Sequence, residues 1–341
     1  MKMKLIVLSA LALTIIPCGA MAIAQQTTSP TAQAPASQAA PTAPPLPMNT
    51  VGPPAKLEFP PANPKNFNAT SPSTAEVNSF LKQIWGYDPN RVWEVVGIQT
   101  TEAPGITRVT ILVGEQGVSH TPAPTVFFVT SDGRHAIAGS SVITFGARPF
   151  ADAQQKLEAR ATGPYRGASS KNLTLVEFAD LQCPDCKLAA PIMDKLATDF
   201  PNAHIVFQVF PLTSIHPEAE KAAEYAVCVA QQKGNAAFFQ FVQAVFDTQE
   251  NLKTDADGTL KAAATKAGAD ASAVSTCSAT PAAASTVAAS VKLGKDLEVN
   301  QTPTLFVNGR EVPVTGVPYN TLKQIISYTA QEASTGTTSG H

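Results

Sequence analysis

Charge is scarce in this sequence and nearly balanced: 15% of its 341 residues are Asp, Glu, Lys or Arg, and the net charge is −2. That excludes the basic footprint of a nucleic-acid-binding chain, and there is no acidic tail. The five histidines are scattered, and the five cysteines hold one close pair, Cys183 and Cys186. A zinc site needs a second close pair of ligands, and neither Cys228, Cys277 nor any histidine supplies one. Beyond the first 24 residues no apolar run is long enough to be read as a membrane span. The partners expected of such a chain are proteins or small molecules.

What is there begins with Lys2 and Lys4, an apolar run over residues 5–17 and the small residues around Ala20-Met21-Ala22. This is the order of a secretory signal peptide, assigned to residues 1–24, with cleavage expected after Ala22 or Ala24. Cys18 as the acylated cysteine of a lipoprotein is disfavoured, because Pro17 stands where a small residue is needed. The processed chain then keeps four cysteines: Cys183, Cys186, Cys228 and Cys277. Its expected location is periplasmic or otherwise extracytoplasmic, in soluble form, where disulfides form and persist.

With 44% apolar residues, the chain can bury a sizeable core and has room for about two domains. Residues 25–65 are rich in Pro, Ala and Thr, bury little apolar surface and read as a disordered linker. Residues 72–147 read as a small α+β domain. Ser73 caps a helix with Val77, Phe80, Leu81, Ile84 and Trp85 on one face, and three or four antiparallel strands follow, with a hairpin turn at Asp132-Gly133. That domain has no clustered His, Cys or paired acids, and no chemistry is assigned to it. Residues 149–162 read as a linker helix, 165–331 as a second domain and 332–341 as a disordered tail.

In the second domain "LTLVEF" reads as a strand, "CPDC" as the start of a helix and "HIVFQVF" as another strand. A βαβ unit of this kind has parallel strands, and sites in open α/β sheets lie at the C-terminal ends of strands, where this pair falls. The pair could be a staple, half of a metal site or a reagent. A staple closing so short a loop constrains the unfolded chain little. As a reagent, Cys183 is the exposed sulfur. Unpaired N–H groups and the dipole of the first helical turn favour its thiolate, and Cys186 resolves the mixed disulfide. No cofactor or metal is called for.

The stretch "VEFADLQCPDC", Pro191 inside the following helix, a long helical segment and "NQTPTLFVNG" occur in order along one domain. Residues 165–331 therefore resemble the DsbA-like thioredoxin-fold disulfide oxidoreductases of the bacterial envelope. The fold class expected is α/β, a thioredoxin fold with a helical insertion preceded by the small α+β domain. The resemblance implies that Pro303 is cis opposite the cysteine pair and that Thr302, with Pro184 and Asp185, meets the client. It also implies that Glu177 is a buried acid moving the proton of Cys186, which burial would give a raised pKa; on an alternating strand it could equally face solvent. Asp185 stands where strongly oxidising members carry His, which predicts a less oxidising couple. Cys228 and Cys277 lie on Ala-rich helical pattern and are either small buried residues or a structural disulfide; an oxidising compartment favours the disulfide. His216 could approach the site but reads as part of a helix start.

The implied activity is oxidation of reduced or misoxidised secreted proteins, with reoxidation by a membrane redox partner. The small domain and linker helix also resemble the DsbC/DsbG arrangement, which would imply a disulfide isomerase or reductase and a homodimer. A non-enzymatic chaperone is the third reading, although it has no need of both CPDC and Thr302-Pro303.

Overall fold

Short-range signals account for the first helix. The computed structural model describes residues 57–118 and 122–336, and α1 (Thr74–Trp85) starts at a capping box in which Ser73 and Glu76 satisfy each other's backbone N–H groups. Val77, Phe80 and Leu81 are buried on its inner face. The signal peptide and residues 25–56 of the linker lie outside the described residues. Residues 57–65, also assigned to that linker, are placed, and Pro64–Asn66 form a 3-10 turn there. The next residue, Phe67, bridges to Ile98; an apolar anchor ends the spacer sooner than composition suggests.

Five strands follow: β1 (Arg91–Thr100), β2 (Thr107–Glu115), β3 (Ala123–Val129), β4 (His135–Ala138) and β5 (Ser141–Thr144). They form an antiparallel meander in sequence order. The expected last strand is two, because Gly139 takes φ 60° and turns the chain back on itself. Phe80, Val95, Ile111, Phe127 and Phe145 make this sheet's core with α1.

The helix α2 (Ala151–Arg160) then leads to a second sheet. Its elements are β6 (Tyr165–Gly167), β7 (Thr174–Ala179), α3 (Pro184–Asp199), β8 (His204–Val209), the insertion α4 (Ala219–Asp247), α5 (Ala256–Lys266), α6 (Ala271–Ser278) and α7 (Pro281–Asp296), then β9 (Thr304–Val307), β10 (Arg310–Val312) and α8 (Tyr319–Gly336). The strand order is β10-β9-β7-β8-β6. β7 and β8 are parallel around α3, and the other pairings are antiparallel. β6 has only three residues, too few to show a period in the sequence. The closing helix runs to Gly336, five residues into the segment read as a disordered tail.

Every residue of β7 and β8 is buried, as expected for central parallel strands covered on both faces. Leu175 and Ile205 pack with Met193 and Leu196 of α3 and Leu322 and Ile326 of α8. Val176, Phe178 and Val206 pack on the other face with Leu157 of α2 and Leu293 of α7. The insertion, kinked at Gly234, packs Tyr225, Phe238, Phe241 and Leu260 into one core with Leu181, Cys183, Cys186 and Phe207.

The helix read as a linker is docked on the second sheet. Leu157 enters that core, Arg160 pairs with Asp296 at 2.7 Å, and a side chain at Gly309, in the β9–β10 turn, would collide with the backbone of Phe150 and Gln154. The first sheet's helix is held there too: the Arg310 guanidinium donates to the carbonyls of Gln83 (3.1 Å) and Ile84 (2.8 Å). These carbonyls, at the end of α1, carry the negative end of its dipole.

Candidate active site

Cys183 is the N-cap residue of α3, with Pro184 in the first turn and φ −76°, ψ 122°. Proline suits that turn because the N–H it lacks would have had no intrahelical partner. At an N-cap the side chain normally offers an oxygen to the N–H groups two and three residues on. Here the side chain is a thiol, and as a thiolate it can take that role toward Asp185 N–H and Cys186 N–H. Both cysteines are free thiols.

The first sulfur, expected in the open, is covered: Cys183 is 6% exposed and Cys186 fully buried. The strand-entry loop does this, with Cys183 Sγ 3.4 Å from the Thr302 carbonyl oxygen, next to the cis Thr302–Pro303 peptide. Pro184 and Asp185 are exposed at the rim. Thr302 Oγ1 is buried and has no hydrogen-bond partner, yet it lies near enough to favour a thiolate on either sulfur.

The two thiols are driven apart. Cys183 is lowered to about 6, first by the Cys186 thiol donating to it, then by Thr302 and the N–H groups of Cys186 and Asp185, against partial burial. Cys186 is pushed far up, first by burial and then by the neighbouring Cys183. The Asp180 N–H donates to Cys186 Sγ at 3.4 Å. Groups split in this way give one nucleophile and leaving group, and one sulfur that stays protonated until a base acts on it.

Glu177 does not point to solvent. It shares the face of β7 with Leu175, toward α3, and is 6% exposed. Its carboxyl is raised to about 7, by burial above all, with Arg166 opposing and Asp194 adding to the rise. It lines a cavity of about 460 Å³ together with Arg166, Met193, Asp194, Phe207 and Phe239. Among the described residues no hydrogen bond joins it to Cys186.

Around this centre the residues fit one known family. The model described as "Thioredoxin" matches residues 159–327. That match covers about half of the chain, and the domain is thioredoxin-like. Its curated relatives include Na(+)/H(+) antiporter NhaA 3 of Salinispora tropica, 34% identical over 145 residues, and NhaA 1 of Salinispora arenicola, 36% identical over 163. Each match covers 42% of this chain and 21% of the relative, so the matched part is about a fifth of their length. Similar solved structures include Proteus mirabilis ScsC in a transitional conformation (22% identity, 53% of this chain, 81% of that one, TM-score 0.44). Oxidised BdbD from Bacillus subtilis (21%, 50%, 93%, 0.45) is another, as is a thioredoxin-like oxidoreductase from Silicibacter pomeroyi (24%, 52%, 97%, 0.43).

In the thioredoxin domain Cys228 of α4 and Cys277 of α6 are joined by a disulfide, with Cα atoms 5.9 Å apart. His216 bonds through Nδ1 to the buried Asp180 carboxylate at 2.8 Å. That carboxylate also accepts from the N–H groups of Gln182 (2.8 Å) and Leu212 (2.9 Å). Sequence reasoning misses Asp180, Gln182 and Gln249. Asp180 and Gln182 carry a signal, as polar residues in a stretch whose neighbours are all buried; Gln249 carries none. Among the described residues no helix is long and apolar enough to cross a membrane.

Proposed function

We propose that the protein is a thiol:disulfide oxidoreductase of secreted proteins, working as an oxidase through Cys183 and Cys186. In the oxidised enzyme a client thiolate attacks Cys183 Sγ, the Cys183–Cys186 bond breaks, and Cys186 leaves and takes up a proton. A second client thiolate then attacks the client sulfur of the mixed disulfide and expels Cys183 as a thiolate. The client is oxidised by two electrons and the enzyme is reduced. Glu177, titrating near neutrality on the face toward α3, is suited to exchange a proton with the buried thiol, and the cavity it lines lies beside it.

One observation carries this reading: Cys183 stands at the N-cap of α3 with Cys186 in the same first turn, an arrangement that favours its thiolate and lowers its pKa to about 6. A couple whose reduced form is stabilised in this way is an oxidant. Thr302 and the cis Pro303 would present backbone to an extended client beside the sulfur, with Pro184 and Asp185 at the rim. Exposed Leu188 and Ile215 add apolar surface for an unfolded chain. Location outside the cytoplasm after signal cleavage, and reoxidation by a membrane partner, belong to the same reading.

The test is to mix the oxidised protein with a reduced secreted client and follow client disulfides. Wild type should transfer its bond and Cys183→Ser should not; full activity in that variant would leave a client-holding module instead. A second reading, a dimeric isomerase or reductase, is favoured by the free edge at β5, where Val142 is 64% exposed. A dimer by sedimentation, with the pair reduced in cells, would make it the better one.

A further inference from the structure

The turn that presents Cys183 leaves two buried carbonyls over. Cys183 N–H closes the turn onto the Asp180 carbonyl at 3.1 Å, and Gln182 N–H is taken by the Asp180 carboxylate. The Leu181 carbonyl has no partner within the turn. The Cys183 carbonyl, first acceptor of α3, has only a long bond from Lys187 N–H at 3.3 Å. Buried carbonyls need donors, and here one side chain from far along the chain supplies both. Gln249, 4% exposed, donates from Nε2 to Leu181 O at 2.9 Å and to Cys183 O at 3.0 Å.

Resting on the thiol-exchange reading above, we propose that Gln249 is a positioning residue for Cys183, one amide locking the two peptide planes that aim the sulfur at the first turn of α3. The Cys183 carbonyl direction fixes the ψ of that residue, and ψ fixes where the N–H groups of Asp185 and Cys186 stand relative to Sγ. With the amide gone, the turn can rotate to find other donors, and the thiolate loses its cap. Gln249 opens the 3-10 turn (Gln249–Lys253) directly after α4, so the insertion holds the nucleophile's loop. It holds the loop once more at its start, through Glu218 N–H to Gln182 Oε1 at 2.7 Å, and the segment after β8 adds Leu212 N–H to the Asp180 carboxylate. Both hydrogen bonds from the Gln249 amide go to backbone carbonyls, and its effect on the sulfur runs through them.

Two variants test this, Gln249→Met, which keeps the length of the side chain but has no donor, and Gln249→Leu, which removes the donor in a shorter one. The readouts are thermal melting, the pH midpoint of Cys183 alkylation and the equilibrium with glutathione. The expected result is a midpoint raised by about one pH unit or more in both, with alkylation at pH 6 slowed about fivefold or more before the change in intrinsic nucleophilicity. The glutathione equilibrium should move toward the disulfide. If the methionine substitution prevents folding, the leucine variant alone carries the comparison. Folded variants with lower melting temperatures but wild-type midpoints and equilibria would overturn the positioning role while leaving the exchange reading intact. A wild-type midpoint equal to that of free cysteine would overturn both.

Discussion

Alkylation of the reduced protein across pH is the measurement most exposed to refutation. The perturbation is pH itself, and the probe is a small haloacetamide at low concentration, with Cys228 and Cys277 kept disulfide-bonded by mild reduction. Cys186 is silent because burial holds it protonated. For a sulfur lowered to about 6 against about 8.5 for free cysteine, the thiolate fraction is roughly 300 times larger at pH 5 and roughly 30 times larger at pH 7. Intrinsic nucleophilicity falls with pKa, with a Brønsted slope of about 0.4–0.5, and removes a factor of roughly 13. Cys183 should therefore react about 20-fold faster than free cysteine at pH 5, about twofold faster at pH 7 and about tenfold slower at pH 9. The change of the rate ratio with pH is the diagnostic feature, because the covering of Cys183 scales its rate at every pH by the same factor. A rate that climbs about tenfold per pH unit from 6 to 8 would mean an ordinary thiol, and the oxidant reasoning would then fail.

Glu177 makes a stability prediction. Its folded pKa, about 7, lies above the unfolded 4.5, so its contribution is fully present below pH 4.5 and is lost as pH rises through about 7. The loss is about 3 kcal/mol, and Glu177→Gln should abolish that part of the pH dependence in denaturant titrations of the reduced protein at pH 4 and pH 8. Identical pH dependence in the two proteins would refute the burial argument. Replacing both Cys228 and Cys277 by Ala opens a loop with a sequence separation of 49, and chain entropy sets the loss at up to about 4 kcal/mol. The urea midpoint should fall while the Cys183 alkylation profile stays put, and a shifted profile would tie this bridge to the site. Asp185→His replaces a carboxylate beside the nucleophile with a donor and should raise the redox potential measured against glutathione; an unchanged or lower value would sink the inference drawn from Asp185.

Local features are legible in the sequence. The capping box at Ser73 and the helix start at Pro184 each depend on neighbours within a few residues. The apolar runs of β7 and β8 announce a central parallel pair. Other local features are silent: Gly139 turns a strand into a hairpin, and β6 is too short to carry a period. The docking of α2 depends on Leu157 and on Gly309, a glycine so far along the chain that no sequence window contains both.

The sequence alone determined that two thiols would stand at a helix start with one residue type after another suited to that place, because capping is decided by adjacent positions. Tertiary structure decided how each thiol behaves. The Thr302 carbonyl over Cys183, the Gln249 amide behind it and the closed surroundings of Cys186 and Glu177 come from segments far apart along the chain. Their effect depends on distance and exclusion of water, which exist only once the chain has folded.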